Sequence, residues 1–416
     1  MPVLREKFKN SKIIALHVDK NLPDTGIPAW KGGENIQEFL EREIPETDIS
    51  KIRIIEWRPS LNFYGEACLT LLSQVVEYLK RAEAGRRTTS AFGKRWVRNF
   101  FRNLGNIHKT LLYRQTDIPV IVAGSGPSLE TALPVIRQMK EDCFILAASS
   151  SLTALEHGGI TPDMVIATDG GAWALRHIYP FFRNTERGLG FAVNLSAALP
   201  SQCASIPFLI MNDGSFWQSV ILHELSLLSV IVTQKGTVTA SAVELALLLT
   251  SGNIYLAGVD LSVRDIKTHA RPYSFDSLFF ESSDRFAPVY NRLFVRSGLI
   301  QNGGSLSIYA AWFKNRLASW PKRIFSLGDN HEVFEKCERT KEQGKSLNTN
   351  KSNFFNVVMV KDKQTNFAQK GKEALLKGLN DPRFAEALKA ELTPLLFPGE
   401  KDVQDRELAE ILKEEA

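Results

Sequence analysis

The residues best suited to group transfer are His269, in the run Thr268-His269-Ala270, and two aspartates, Asp260 and Asp169. A hydroxyl acceptor needs a base as it attacks, and histidine, with a reference pKa of about 6.5, exchanges a proton near neutral pH. His269 is therefore the candidate base, with His157 as its rival. Asp260 lies in the run GVDLS, nine residues before His269, and Asp169 lies in ATDGG. Asp169 could hold a ribose, a sugar or a metal ion, or could equally cap the turn before Gly170 and Gly171. Upstream, GSGPSL supplies Gly124, Ser125, Gly126, Pro127 and Ser128. Glycines let a backbone approach a ligand, proline suits the first turn of a helix, and the amides that open a helix attract phosphate. Ser149, and Thr237 in a later glycine turn, bring further hydroxyls within reach of a nucleotide. The hydroxyls of Ser125, Ser128, Ser149 and Thr237 could alternatively serve as helix caps.

Strand ends must hold such residues. Residues 117–171 contain three short apolar runs, 119–123, 143–148 and 164–168, separated by segments whose apolar residues recur at helical spacing (Leu129, Leu133, Ile136, Met139; Leu152, Leu155). Continuous apolar runs are expected of parallel strands covered by helices on both faces, so this is a β-α-β-α-β unit with its functional residues at the carboxyl ends of the strands. A dinucleotide site is not supported. Leu129 replaces the third glycine of the Gly-x-Gly-x-x-Gly fingerprint, and the second strand ends in Ser149, Ser150 and Ser151 with no acid for a ribose diol. A nucleotide or nucleotide-sugar site is favoured over a purely structural turn.

Further strand-like runs occur at 190–195, 207–211, 230–233, 253–257 and 323–326, with helices at 239–249 and 306–317. Residues 264–280, with Pro272, are too long and polar for a simple connection and read as a lid or substrate-binding loop. The expected architecture is an α/β protein with a Rossmann-like central domain, 117–330, built on a mostly parallel sheet. Ahead of it stand a small α/β domain, 1–80, with strands at 12–19 and 51–57 and a helix at 35–43, and a basic amphipathic connecting helix, 81–116. That stretch has nine Lys/Arg against one acid, Glu83, and Phe92, Trp96, Phe100 and Leu104 share one face. Its charged side is either a solvated face or a surface for an anionic partner. A polar linker, 331–353, leads to a mainly helical region, 354–416, that begins with an edge strand at 354–360.

At 416 residues, with 44% hydrophobic and 23% charged residues, the chain can bury a large core. Its net charge of +5 does not imply nucleic acid. The first ten residues lack the apolar centre of a signal peptide, and the longest apolar run, 220–232, carries His223 and Glu224, so a cytoplasmic protein without a membrane span is expected. Cys68, Cys143, Cys203 and Cys337 are widely spaced and read as packing residues.

Taken in order, GSGPSL, the serine-ended second strand, GITPDMVIATDGG and GTVTASAVELALLLTSGNIYLAGVDLSVRDIKTHA resemble the motility accessory factor (Maf) flagellin glycosyltransferases. That family shares a domain with the 6-hydroxymethylpterin diphosphokinase MptE-like proteins. The resemblance covers about residues 117–330, and Ile55–Trp57 and Tyr64–Glu66 are similar to that family's amino-terminal domain. GSGPSL and ELALLLTSGNIYLAGVD are also similar to bacterial sialyltransferases that use CMP-activated sialic acid. The resemblance implies transfer of a nonulosonic acid (pseudaminic, legionaminic or sialic-like) from a CMP-sugar to Ser or Thr of flagellin, with no obligatory cofactor and Mg²⁺ as an optional ion. Ser262 stands where the sialyltransferases carry a tyrosine, and no histidine occurs between 271 and 330, so their mechanism does not transfer; Arg271 or Tyr273 could supply phosphate contacts instead. Two alternatives are an ATP- and Mg²⁺-dependent pterin diphosphokinase using Asp169 and Asp260, and a non-catalytic flagellin-binding module.

Overall fold

The computed structural model describes residues 6–8, 11–23, 26–44, 49, 51–182, 190–233, 236–303, 305–317, 320–328, 334, 351–359, 366–400 and 403–414. The chain forms two compact units, Met1–Gly93 with Leu392–Val403, and Lys94–Glu391 with Gln404–Ala416.

In the smaller unit, β1 (Ala15–Leu16) and β2 (Ala29–Trp30) pair in parallel. Helix α1 (Ile36–Glu43) follows, its first turn capped by the Asn35 side chain, which accepts from the Gln37 amide. Its apolar stripe of Ile36, Phe39 and Leu40 packs with Val75 and Tyr78 of α2 (Arg58–Gly105). Burying each large apolar side chain contributes about 1.5–3 kcal/mol, so these few contacts form a small core. Helical geometry breaks at Gly65 (φ 24°, ψ −96°), and the neighbouring Tyr64 hydroxyl donates to Asp19 at 3.0 Å. Residues 51–57 depart from expectation. They pair with no strand among the described residues, and Ile54, Ile55 and Trp57 are exposed, because β-forming composition needs a neighbouring strand edge to act on.

In the larger unit the elements after α2 are β3 (Lys109–Tyr113), β4 (Val120–Ala123), α3 (Leu129–Met139), β5 (Phe144–Ala148), α4 (Leu152–His157), β6 (Met164–Ala167), α5 (Leu175–Ile178), β7 (Gly190–Asn194), β8 (Phe208–Asn212), α6 (Phe216–Glu224), β9 (Val230–Ile231), α7 (Val238–Leu249) and β10 (Ile254–Ala257). Then come α8 (Asp276–Glu281), α9 (Val289–Asn302), α10 (Ser305–Leu317), β11 (Ile324–Ser326), β12 (Phe355–Met359), α11 (Phe367–Leu379), α12 (Ala385–Leu396) and α13 (Asp405–Glu414). The sheet order is β11-β10-β4-β5-β6-β7-β8-β3-β12, with β9 also on β8, and every pairing is parallel except β12 with β3.

All four residues of β4 and all five of β5 are buried, as two covered sheet faces require. Helix α7 achieves close packing on β4 and β5 with small buried residues, Ala240, Ser241, Ala242 and Ala246. The carboxylate of Glu391 accepts from the amides of Phe216 and Trp217, both at 2.9 Å, and so satisfies the positive start of α6.

The expected strands of the central region are present, and the run at 354–360 supplies an edge strand, β12. Elements not anticipated include β2, α5, α6 and α8, and two more besides. The helical stretch ends at Gly105 and β3 follows it, and α9 forms within a stretch given no structure. Residues 339–350 of the expected linker lie outside the described residues, as does Cys337. Burial pushes the Cys143 and Cys203 thiols up to about 12, which keeps both protonated, in keeping with packing roles. No helix among the described residues is long and apolar enough to cross a membrane.

Candidate functional site

The chain runs from β4 to β5 on one side, whereas β10 is laid down on the other side of β4. This reversal of strand order is where open α/β sheets place ligands, outside the carboxyl ends of the strands. The GSGPS turn follows β4 at that point and the GVD turn follows β10. The two turns touch: the amide of Gly124 donates to Ala257 O and that of Gly126 to Gly258 O, both at 2.8 Å. A Cβ on Gly124 would lie 2.5 Å from Gly258 O, and one on Gly126 would lie 2.1 Å from Asp260 Oδ2, so this approach requires glycine.

The expected phosphate position at the start of α3 is held by a carboxylate of the chain itself. Asp260, 2% exposed, accepts from the Ser128 amide at 3.0 Å and from the Ser128 hydroxyl at 2.7 Å, while Arg264 Nε lies 2.7 Å from its other oxygen. The helix start therefore already has its negative charge. Burial nonetheless pushes the Asp260 carboxyl above its usual range, against the pull of Ser128 and Arg264.

After Asp260 the backbone turns through Leu261 (φ 48°), and the next residues are fastened back across the glycine turn. Ala270 N donates to Ser125 O at 2.9 Å. Glu130, in the first turn of α3, accepts from Arg271 N at 2.8 Å and Lys267 Nζ at 2.7 Å. Residues 258–271 thus form a strap over the crevice.

Beyond the strap lies a second cluster. The His269 ring stacks on Tyr273, with centroids 4.2 Å apart and planes at 12°. His177, from α5, packs on the same tyrosine at 5.4 Å and on Phe275 at 5.1 Å, and its Nδ1 is bonded to the Ser274 hydroxyl at 2.6 Å. Thr268 Oγ1 sits 2.9 Å from His269 Nδ1. Arg271 pairs with Asp276. Arg296, from α9, bonds the Tyr273 phenol and lies over the Phe279 ring, 5.3 Å from its centroid.

Burial, reinforced by Arg296, His177 and Arg271, brings His269 down to about 3. Burial brings His177 down to about 4; Asp169 opposes this shift and Arg296 assists it. Both imidazoles are therefore neutral at physiological pH. Burial pushes Tyr273 up to about 12 despite Arg296, so its phenol is neutral too.

Asp169 closes β6 and is exposed; its Oδ1 accepts from the Gly171 amide at 2.8 Å, the capping role foreseen as its alternative. Helix α2 fixes this turn. A Cβ on Gly170 would lie 2.4 Å from the Trp96 ring, and Asn99 Nδ2 donates to Gly170 O at 3.1 Å and Ser196 O at 3.0 Å. With Phe100 and Leu104 fully buried, the apolar face of this end of the basic helix belongs to the core.

The structure thus gathers His269, Arg271, Tyr273 and the charge of Asp169 into one cluster, and places Gly124, Ser125, Gly126, Pro127, Ser128 and Asp260 in the adjoining strapped turn. Ser149 is buried just past β5, and Thr237 begins α7 without a side-chain bond to that helix. His157 ends α4, exposed at the opposite, amino edge of the sheet. Sequence reasoning missed His177 and Arg296. His177 follows Asp169 by eight residues with no motif to mark it, and Arg296 belongs to the unanticipated α9.

Residues 94–265 match the family described as 6-hydroxymethylpterin diphosphokinase MptE-like, so this part of the larger unit is similar to that family. A protein of Treponema pallidum (strain Nichols), described as uncharacterized, is 27% identical over 298 residues, covering 71% of this chain and 64% of its own length. A second from the same organism is 24% identical over 212 residues, covering 48% of this chain and 36% of its own. The matched region thus spans under two thirds of these relatives. Among solved structures, a MAf glycosyltransferase from Magnetospirillum magneticum AMB-1 aligns with a TM-score of 0.43 at 15% identity, over 81% of this chain and 58% of its own.

Proposed function

We propose that the chain is a glycosyltransferase that moves a nonulosonic acid from a CMP-sugar to Ser or Thr hydroxyls of flagellin. The observation that carries this reading is the cluster at the carboxyl edge, where two guanidiniums, two neutral imidazoles and a neutral phenol converge beside the point of strand reversal. The order of sequence motifs supports the donor and acceptor classes.

In this reading Arg271 faces the phosphate of the departing CMP, Ser125, Ser149 and Thr237 contribute hydroxyls to the nucleotide, and the Gly124–Gly258 contact forms the floor. The acceptor oxygen attacks the anomeric carbon, the bond from that carbon to the phosphate oxygen breaks, and the acceptor proton passes to a ring nitrogen of His269. A neutral imidazole can take that proton. Burial holds its basicity low, and Arg296, His177 and Arg271 lower it further. An anionic donor set against those cations raises it, so the base strengthens when the donor arrives.

The MptE-like match favours a second reading, ATP-dependent pyrophosphoryl transfer to a hydroxymethylpterin. That reaction would need carboxylates to hold Mg²⁺. Asp260 is already committed to Ser128 and Arg264, and no cluster of three His, Cys, Asp or Glu suited to a metal occurs among the described residues. Intact-mass measurement separates the readings. The purified chain, given flagellin and CMP-nonulosonate, should add one sugar mass to flagellin. A product from ATP and hydroxymethylpterin instead would overturn the proposal, and flagellin binding without either product would make the chain a docking module.

A further inference from the structure

The two guanidiniums of the cluster are not in equivalent states. Arg271 has a carboxylate, Asp276, against it, and its backbone is tied to Glu130. Arg296 has neither. Its contacts are the neutral Tyr273 phenol and the face of Phe279, and its Nε is buried with no hydrogen-bond partner among the described residues. The other charges acting on the same rings are Arg271 and the exposed carboxylate of Asp169, which accepts from the Gly171 amide.

A half-buried, unpaired guanidinium is costly, because burial removes hydration that only a partner can replace. Such an arrangement persists where a ligand completes it. Guanidinium presents its N–H groups as a planar fork, which matches two oxygens of a carboxylate. The sugar of the proposed donor carries a carboxylate at its anomeric carbon, in addition to the phosphodiester of CMP.

We infer that Arg296 is a specificity-determining residue that pairs with the sugar carboxylate of the donor, so that the site accepts acidic sugars and gains nothing from neutral ones. This rests on the CMP-sugar reading above. Arg271 and the hydroxyls would serve the nucleotide, and Arg296 the sugar. The carboxylate is drawn to the side of the site lined by His269 and Tyr273, which brings the anomeric carbon toward the base.

The test uses the full chain, with CMP and CMP-N-acetylneuraminate as calorimetric probes at fixed ionic strength. The wild type should bind the acidic sugar nucleotide about tenfold more tightly than CMP. Arg296→Gln should erase that difference and leave the Kd for CMP within about twofold, since CMP lacks the carboxylate. Arg296→Lys, which keeps the charge but loses the fork, should recover part of it and stands in if the glutamine variant does not fold. Equal weakening of both probes would assign Arg296 to the phosphate and overturn the inference, as would an unchanged difference. A wild type that binds CMP with no preference for the acidic sugar defeats the inference alone. One that binds neither probe defeats the donor reading as well.

Discussion

The glycine turn after β4 and the loop that leads to α9 lie along the same edge of one sheet, yet they treat negative charge in opposite ways. The turn has the composition of a phosphate cradle, but a carboxylate from 132 positions further along the chain already fills it. The loop has no recognisable anion motif, yet it assembles two arginines, two histidines and a tyrosine, with one guanidinium left without a charge partner among the described residues. Backbone shape is local and readable from a few residues. Whether that shape is open for business depends on which distant side chain folds onto it.

The largest expected effect tests the filled side. Asp260→Ala should destabilise the protein by about 3 kcal/mol in urea unfolding, since it removes the carboxylate that Arg264 and the Ser128 amide share, with the partial exposure of Arg264 holding the loss near the low end for broken buried pairs. If the variant folds and gains affinity for inorganic phosphate, the turn is an anion site held shut by its own strap, and the contrast sharpens. Next comes the open side. His269→Ala should lower kcat about 100-fold, the usual scale for losing a general base, with some loss of stability from the stacking on Tyr273. An intact kcat would remove the base from this cluster.

Gly126→Ala should cost about 2 kcal/mol, as a methyl group 2.1 Å from Asp260 Oδ2 and 2.8 Å from Gly258 O forces fixed neighbours apart. Lost nucleotide affinity in that variant would therefore report on the strap and not on a phosphate contact. The smallest effect is on pH dependence. His177 and His269 have folded pKa values of about 4 and about 3, below the reference of about 6.5. Their contribution to stability is present above about pH 6.5 and is lost as pH falls toward those values. His177→Gln and His269→Gln should each flatten the acid limb of stability against pH, and an unchanged limb would place both rings in solvent. Asp260, shifted upward, has the opposite sign: its contribution is present below its ordinary pKa and fades as pH rises through the shifted one.

The parallel sheet was legible because its central strands are buried apolar runs bounded by turn residues, and the edge strand β12 was legible from its β-branched and aromatic residues although Val357 and Val358 are exposed. Strand β3 was not, since its KTLLY follows directly on a long basic helix and only its pairing with β8 and β12 defines it. Residues 51–57 erred the other way: they are rich in isoleucine, as a strand should be, and pair with no strand among the described residues. At the site, His269, Arg271 and Tyr273 could be found because they share one loop. His177 and Arg296 reach the cluster from separate helices, α5 and α9, and local pattern carries no record of that convergence. Asp260 was found, but its occupation is to neutralise a helix start.

Strand β12 carries a practical consequence. The segment that matches the MptE-like family stops at residue 265, before β11 and β12, which line the two flanks of the sheet on β10 and β3. A fragment trimmed to residues 94–265 would present two raw hydrogen-bonding margins, each a template for a second copy. Anyone excising the domain should keep the chain through at least Met359, because the closing staves of this barrel-less wall are supplied last.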